Sequence, residues 1–172
     1  MATYTPFGTI GTGTRGISTL GWVLRGAAAG AAGSTALNAV TYLDMTTRGR
    51  PTSSTPERTV EVLAEKAHVP IPGDEEHRQN RLQGLGPLTG LAAGLGVGVL
   101  TGLARAAGFR SQPLVGTALT TVGVLIGTNG PMTVLGITDP RTWSTTDWVS
   151  DVVPHLAYGA VVKTTMDAFD RP

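Results

Sequence analysis

The chain has 172 residues and a net charge of +1, with 41% hydrophobic but only 15% charged residues. That length allows one domain with a sizeable core, and the near-zero net charge offers no bulk electrostatic case for nucleic acid. The sequence contains no cysteine, which excludes disulfides, Cys-based zinc sites, iron–sulfur clusters and thiol catalysis.

Aromatic residues make up 5% and glycines number 24, so the core is expected to be built from small aliphatic side chains. The glycines fall largely inside apolar stretches, unlike those of a polar Gly-rich linker. Mean hydropathy is +0.10, low for a multi-pass membrane protein. Gly and Thr depress the average, and a polar connector dilutes it further.

Residues 1–20 are rich in Thr and Gly and read as an irregular tail. They lack the basic start and apolar core of a secretory signal, so a retained internal helix is expected to direct membrane insertion. Gly11-Thr12-Gly13-Thr14-Arg15-Gly16 matches GxGxxG in form. No strand precedes it and the first acidic residue is Asp44, so it lacks the setting of a dinucleotide fingerprint.

The first predicted span covers about residues 22–45. Its charge-free run between Arg25 and Asp44 is about 18 residues, near the lower limit for crossing a bilayer. Trp22 and Tyr42 stand near its ends, where interfacial aromatics are expected. Gly26, Gly30 and Ser34 keep a small-xxx-small spacing, Asn38 continues that face, and Ala29 and Gly33 form a second row. Asn38 is the most deeply placed polar residue. It fits either an interhelical hydrogen bond or part of a polar path.

Residues 46–83 read as a polar connector. Within it, Ser54 with Glu57 has capping-box spacing and Pro56 suits a first turn. Val60, Leu63, Ala64 and Ala67 share one face, which predicts a short amphipathic helix. Asp74, Glu75, Glu76, His77 and His68 offer metal-ligand chemistry. Consecutive carboxylates in a polar segment point apart, however, and no H-E-x-x-H pattern is present, so no metal is assigned.

The second predicted span, about residues 84–107, is the centre of the chain. Gly86, Gly90, Gly94, Gly98 and Gly102 recur every fourth residue. In water such glycines cost a helix about 1 kcal/mol each relative to Ala, whereas in lipid they admit a neighbouring backbone. The stretch is read as a glycine zipper. Its row drifts around the helix by roughly 40° per step, which predicts contact with two neighbours or a strongly right-handed crossing.

The third span, about 113–135, has no charge and places Gly116, Thr120, Gly123 and Gly127 at small-residue spacing. Its threonines can bond back to their own helix. Asn129, Gly130 and Pro131 are expected to break or kink its end. Ser144 with Asp147 is a second capping-box start for the fourth span, about 147–168, and Trp143 and Trp148 read as interface anchors. Asp151 and His155 lie four apart on one face, with Tyr158 close by.

Gly136-Ile137-Thr138-Asp139-Pro140, and His155-Leu156 within an apolar helix, resemble the YagU-like inner-membrane proteins. The Ala/Gly/Thr-rich style is similar to uncharacterised actinobacterial small polytopic membrane proteins. The likeness covers about a fifth of the chain and implies membrane residence, with no catalytic residue to carry over. The connector from Thr55 to Ala67 has no counterpart in it.

These elements predict an all-α, polytopic membrane four-helix bundle with glycine-zipper packing, a short amphipathic connector helix and a single membrane domain over residues 21–172. Gly26, Gly30, Gly86, Gly90, Gly94, Gly98, Gly102, Gly123 and Gly127 are the expected helix-packing residues. The expected partners are the lipid bilayer and either further copies of the chain or other membrane subunits. No cofactor, metal or nucleic acid is implied.

The expected role is that of a structural or accessory subunit. The alternative is a transporter or channel-like protein with a polar path through Asn38, Asp151, His155 and Tyr158, where a carboxylate beside His would favour the imidazolium. No nucleophile–base–orienter set is present, so no enzyme activity is assigned. Four spans put both termini on one side. Basic residues nearly tie across the two sides, and Arg105 and Arg110 in a short loop tip the termini toward the cytoplasm.

Overall fold

A computed structural model describes residues 17–171. Five α-helices follow in order: α1 Thr19–Arg48, α2 Thr55–Lys66, α3 Glu75–Ala106, α4 Pro113–Val134 and α5 Thr145–Phe169, with a 3-10 turn at Pro140–Thr142 before α5. The described chain is all-α, with no strand among the described residues. The GxGxxG stretch and nearly all of the expected tail lie outside those residues.

The four long helices form a ring in which α1 neighbours α3 and α5, while α4 neighbours α5 and α3. Each contact is antiparallel: Gly26 meets Gly98 and Gly102, Arg48 meets Ser150, and Asn129 meets Asp151. The starts of α1 and α4 therefore lie at one end of the bundle with the finishes of α3 and α5. We call this the terminal end, because both described termini are there. The opposite end carries α2, which packs along the start of α3.

Local chemistry explains the boundaries. Ser18 accepts from the Gly21 amide to start α1, and Gly49 closes it with φ 62°, a left-handed value that suits glycine. Asp74 accepts from the His77 amide and starts α3, so this helix begins nine residues before the predicted 84. Ser144 and Asp147 form the expected reciprocal capping box. Ser54 makes no side-chain cap; the Ser53 hydroxyl takes the Thr55 amide instead. Asn129, Gly130 and Pro131 do not end α4, which continues to Val134.

The core is small and lies in the terminal half. Trp22, Ala29, Val124, Tyr158, Val162 and Met166 are its buried apolar members. Trp22, expected at an interface, faces inward here, whereas Tyr42 is exposed. Much of the outer face of the bundle is apolar.

Among the described helices, α3 alone is long and apolar enough to cross a membrane by length and composition, with mean hydropathy 1.5 over its best 18-residue window. Charges and Asn38 interrupt α1, charges interrupt α5, and α4 is charge-free but carries several Thr residues and Asn129.

Candidate functional site

Close backbone contact dominates the α1–α3 seam. A Cβ on Gly30 would stand 2.6 Å from the Gly94 carbonyl oxygen, and one on Gly98 would stand 2.7 Å from the Gly30 Cα. A Cβ on Gly26 would meet the Gly98 carbonyl and one on Gly102 the Trp22 carbonyl, and Gly94 lies under Ser34. At Gly26, Gly30, Gly98 and Gly102 backbone meets backbone with no side chain between, so a methyl group added there must push the helices apart.

The row of five does not act as one unit. Gly86 abuts Pro56 and Glu57 at the start of α2, with 2.9 Å between a Gly86 Cβ and the Glu57 nitrogen. A Cβ on Gly90 would meet nothing within 4 Å. The drift of the row explains this, since its early members turn away from α1 toward α2 and open space. Gly123 and Gly127 are also loose, with Val97 3.7 Å from each added Cβ. The tight glycines elsewhere are Gly33 against Tyr158 and Val162, Gly159 against Thr117 and Thr121, and Gly116 under the Lys163 stem. Spacing alone does not separate these from Gly123 and Gly127, because the partner helix decides which row is used.

Toward the α2 end the ring opens into a cavity of about 610 Å³. Asn38, Asp151, His155 and Tyr158 all line it, so four residues from two helices are brought to one space. The cavity reaches down to Ser34, Gly94, Val124 and Tyr158. Beyond that level Val162, Met166, Ala29 and Trp22 fill the core. It is thus a vestibule closed on its terminal side by the core.

The polar wall is tied to the helices. The His155 ring nitrogen Nδ1 lies 2.6 Å from the Asp151 carbonyl oxygen. A carbonyl only accepts, so Nδ1 carries the proton. Nε2 lies 3.3 Å from the Thr128 hydroxyl. The Asp151 carboxylate accepts from Asn129 Nδ2 at 2.8 Å, while its other oxygen lies 3.6 Å from His155 Nδ1. Asn129 was legible only as a helix breaker, and its role as carboxylate partner appears once α4 and α5 are paired. At the rim Asp44 holds both Arg48 and Arg50 at 2.6 Å, and Arg48 also donates to Ser150.

The α4–α5 connection, residues 135–144, borders the mouth. Asp139 accepts from the side chain and the amide of Arg141, which holds its carboxyl below the ordinary range. The Trp143 indole donates to Thr138 at 2.9 Å and meets Trp148 edge-on at 5.0 Å.

A second polar cluster, not anticipated from sequence, closes the terminal end. Arg105 is only 6% exposed and pairs with Asp167 at 2.5 Å and also with Asp170. Lys163, itself buried, also pairs with Asp167, and Arg110 reaches Asp170 at 3.1 Å. Lys163 and Asp167, four apart, could have been read as a helical pair; Arg105 with Asp170 could not.

The arrangement is that of an all-α bundle with one polar vestibule and one ionic plug. Compared with known protein families, with curated proteins and with solved structures, the chain matches none.

Proposed function

We propose that the chain is a small integral membrane protein whose four long helices cross the bilayer, and that it serves as a structural or accessory subunit, packing against further copies of itself or other membrane subunits. The observation that carries this reading is apolar exposure on every long helix: Leu24 on α1, Leu100 on α3, Ile126 on α4 and Leu156 on α5 all point outward. A soluble bundle seldom exposes so much aliphatic surface. Even the shortest, α4 with 22 residues, is about 33 Å long, enough for a hydrocarbon core of about 30 Å. The Gly26–Gly102 seam supports the same reading, since close backbone approach stabilises helix pairs in lipid.

Alkaline extraction of cell membranes tests membrane residence. The chain should stay in the pellet and need detergent for release; recovery in the soluble fraction would overturn it. Size in mild detergent then tests assembly: the chain should run with further copies or with other subunits, and a lone single chain would remove the packing role.

The vestibule favours a second reading, transport. Asn38, Asp151 and His155 form a polar entrance that Tyr158 closes, so passage needs Tyr158 to move. In liposomes, Asp151→Asn and His155→Ala should abolish a pH-dependent flux while the fold survives. If the chain is an accessory subunit, both variants leave its assembly intact.

A further inference from the structure

The charges are divided unequally between the two ends. Of 12 acidic residues, Asp167 and Asp170 alone lie at the terminal end, which also carries Arg25, Arg105, Arg110, Lys163 and Arg171. The two carboxylates are already shared. Asp167 serves Arg105 and Lys163, and Asp170 serves Arg105 and Arg110. Arg25 has no carboxylate partner among the described residues. Its guanidinium lies 5.4 Å from the Trp22 ring centre and 5.5 Å from that of Phe169, and donates to the Phe169 carbonyl at 3.2 Å. Arg110 lies 5.3 Å from the same Trp22 ring. Arg25 and Arg110 thus each lie against one indole, at 5.4 and 5.3 Å, and of the two, among the described residues, only Arg110 has a carboxylate, itself shared with Arg105.

A guanidinium without a carboxylate, near a second that shares one, favours an anion there. Guanidinium groups match phosphate in geometry as well as charge. We propose that Arg25 and Arg110 hold a phosphate group over Trp22, supplied by an anionic lipid headgroup or by free phosphate. This rests on the membrane reading above for the lipid source alone. The surroundings fit a lipid: Leu20 is 67% exposed, Phe109 53% and Leu114 82%, so acyl chains find exposed apolar side chains at the same end of the bundle. Basic sites near helix ends recognise anionic headgroups in this way.

The test uses the full chain in mild detergent, incubated with equal phosphatidylglycerol and phosphatidylcholine and analysed for retained lipid by native mass spectrometry. Phosphatidylglycerol should be retained preferentially, because the choline cation is repelled by the surplus positive charge. Arg25→Gln and Arg110→Gln should each weaken retention about fivefold, while Arg141→Gln at the other end changes nothing. Equal retention of both lipids by the unaltered chain overturns a lipid source, and that comparison needs no variant to fold. Inorganic phosphate titrated alone, followed by thermal stability, reads the free-anion source. Stabilisation lost in Arg25→Gln supports the site even if the chain proves not to be membrane-bound. Absence of both the lipid preference and the phosphate effect overturns the proposal.

Discussion

The Tyr158 hydroxyl donates to the Gly94 carbonyl at 2.6 Å, joining α5 to α3 across the middle of the ring. The ring of Tyr158 is fully buried and lies against Gly33 of α1, so one side chain ties three helices. It also forms the floor of the vestibule. Tyr158→Phe removes the hydrogen bond but keeps the ring, and should lower stability by about 1 kcal/mol. Tyr158→Ala should cost about 3–5 kcal/mol through the void it leaves. Thermal unfolding of the purified variants measures both. A Phe variant as stable as the parent would mean that the bond contributes nothing.

Much of this was legible in advance, for identifiable reasons. Helix identity followed from long apolar runs without alternation, and the α5 start followed from Ser144 and Asp147. Asn38, Asp151, His155 and Tyr158 were grouped by polarity against an apolar background, and they line one cavity. What was not legible depended on how helices pair. Gly90 and Gly98 are equivalent in spacing, yet one faces open space and the other faces Gly30. Trp22 looked like an interfacial residue because its position in the helix says nothing about its direction. The ionic plug joins residues as far apart as Arg105 and Asp170, which no local pattern reveals.

The contrast between Gly90 and Gly98 gives a direct experiment. Gly98→Ala puts a methyl group against the Gly30 backbone and should destabilise the bundle by about 1–3 kcal/mol. Gly90→Ala meets no neighbour and gains helix propensity, so it should be neutral or stabilising by up to about 1 kcal/mol. The pair is compared by melting temperature under identical detergent conditions. Equal effects at the two sites would mean that the α1–α3 seam is not the tight contact described.

Acid should loosen the start of α3. The Asp74 carboxylate accepts from the His77 amide at 2.9 Å and lies 2.6 Å from the His77 ring, and these bonds hold its pKa below the ordinary value. A carboxyl whose pKa is lowered on folding contributes stability above its unfolded pKa, and loses it as pH falls through the folded value. Protection of the His77 and Arg78 amides, corrected for intrinsic exchange, should therefore fall below about pH 4. Asp74→Asn keeps an acceptor at the cap but has no proton to gain there, so its protection should vary less across the same window. Parallel profiles for the two proteins would exclude Asp74 as the source.

Arg105 is the strongest test of the terminal end. Its buried guanidinium bridges Asp167 and Asp170, so it links the last turn of α3 to the last turns of α5. Removing one partner of a buried pair costs about 3–5 kcal/mol, because the remaining charge stays dehydrated. Lys163 and Arg110 still face the two carboxylates after the change, which places Arg105→Met near the lower figure. Asp167→Asn combined with Arg105→Met should cost less than the sum of the two single changes, because each alone already removes the Arg105–Asp167 interaction. Arg110→Gln should cost no more than about 1 kcal/mol, since its side chain is 45% exposed and surface pairs contribute little. Chemical unfolding of the four variants gives these differences, and strict additivity of the double change would show that Arg105 and Asp167 do not stabilise the fold as a pair.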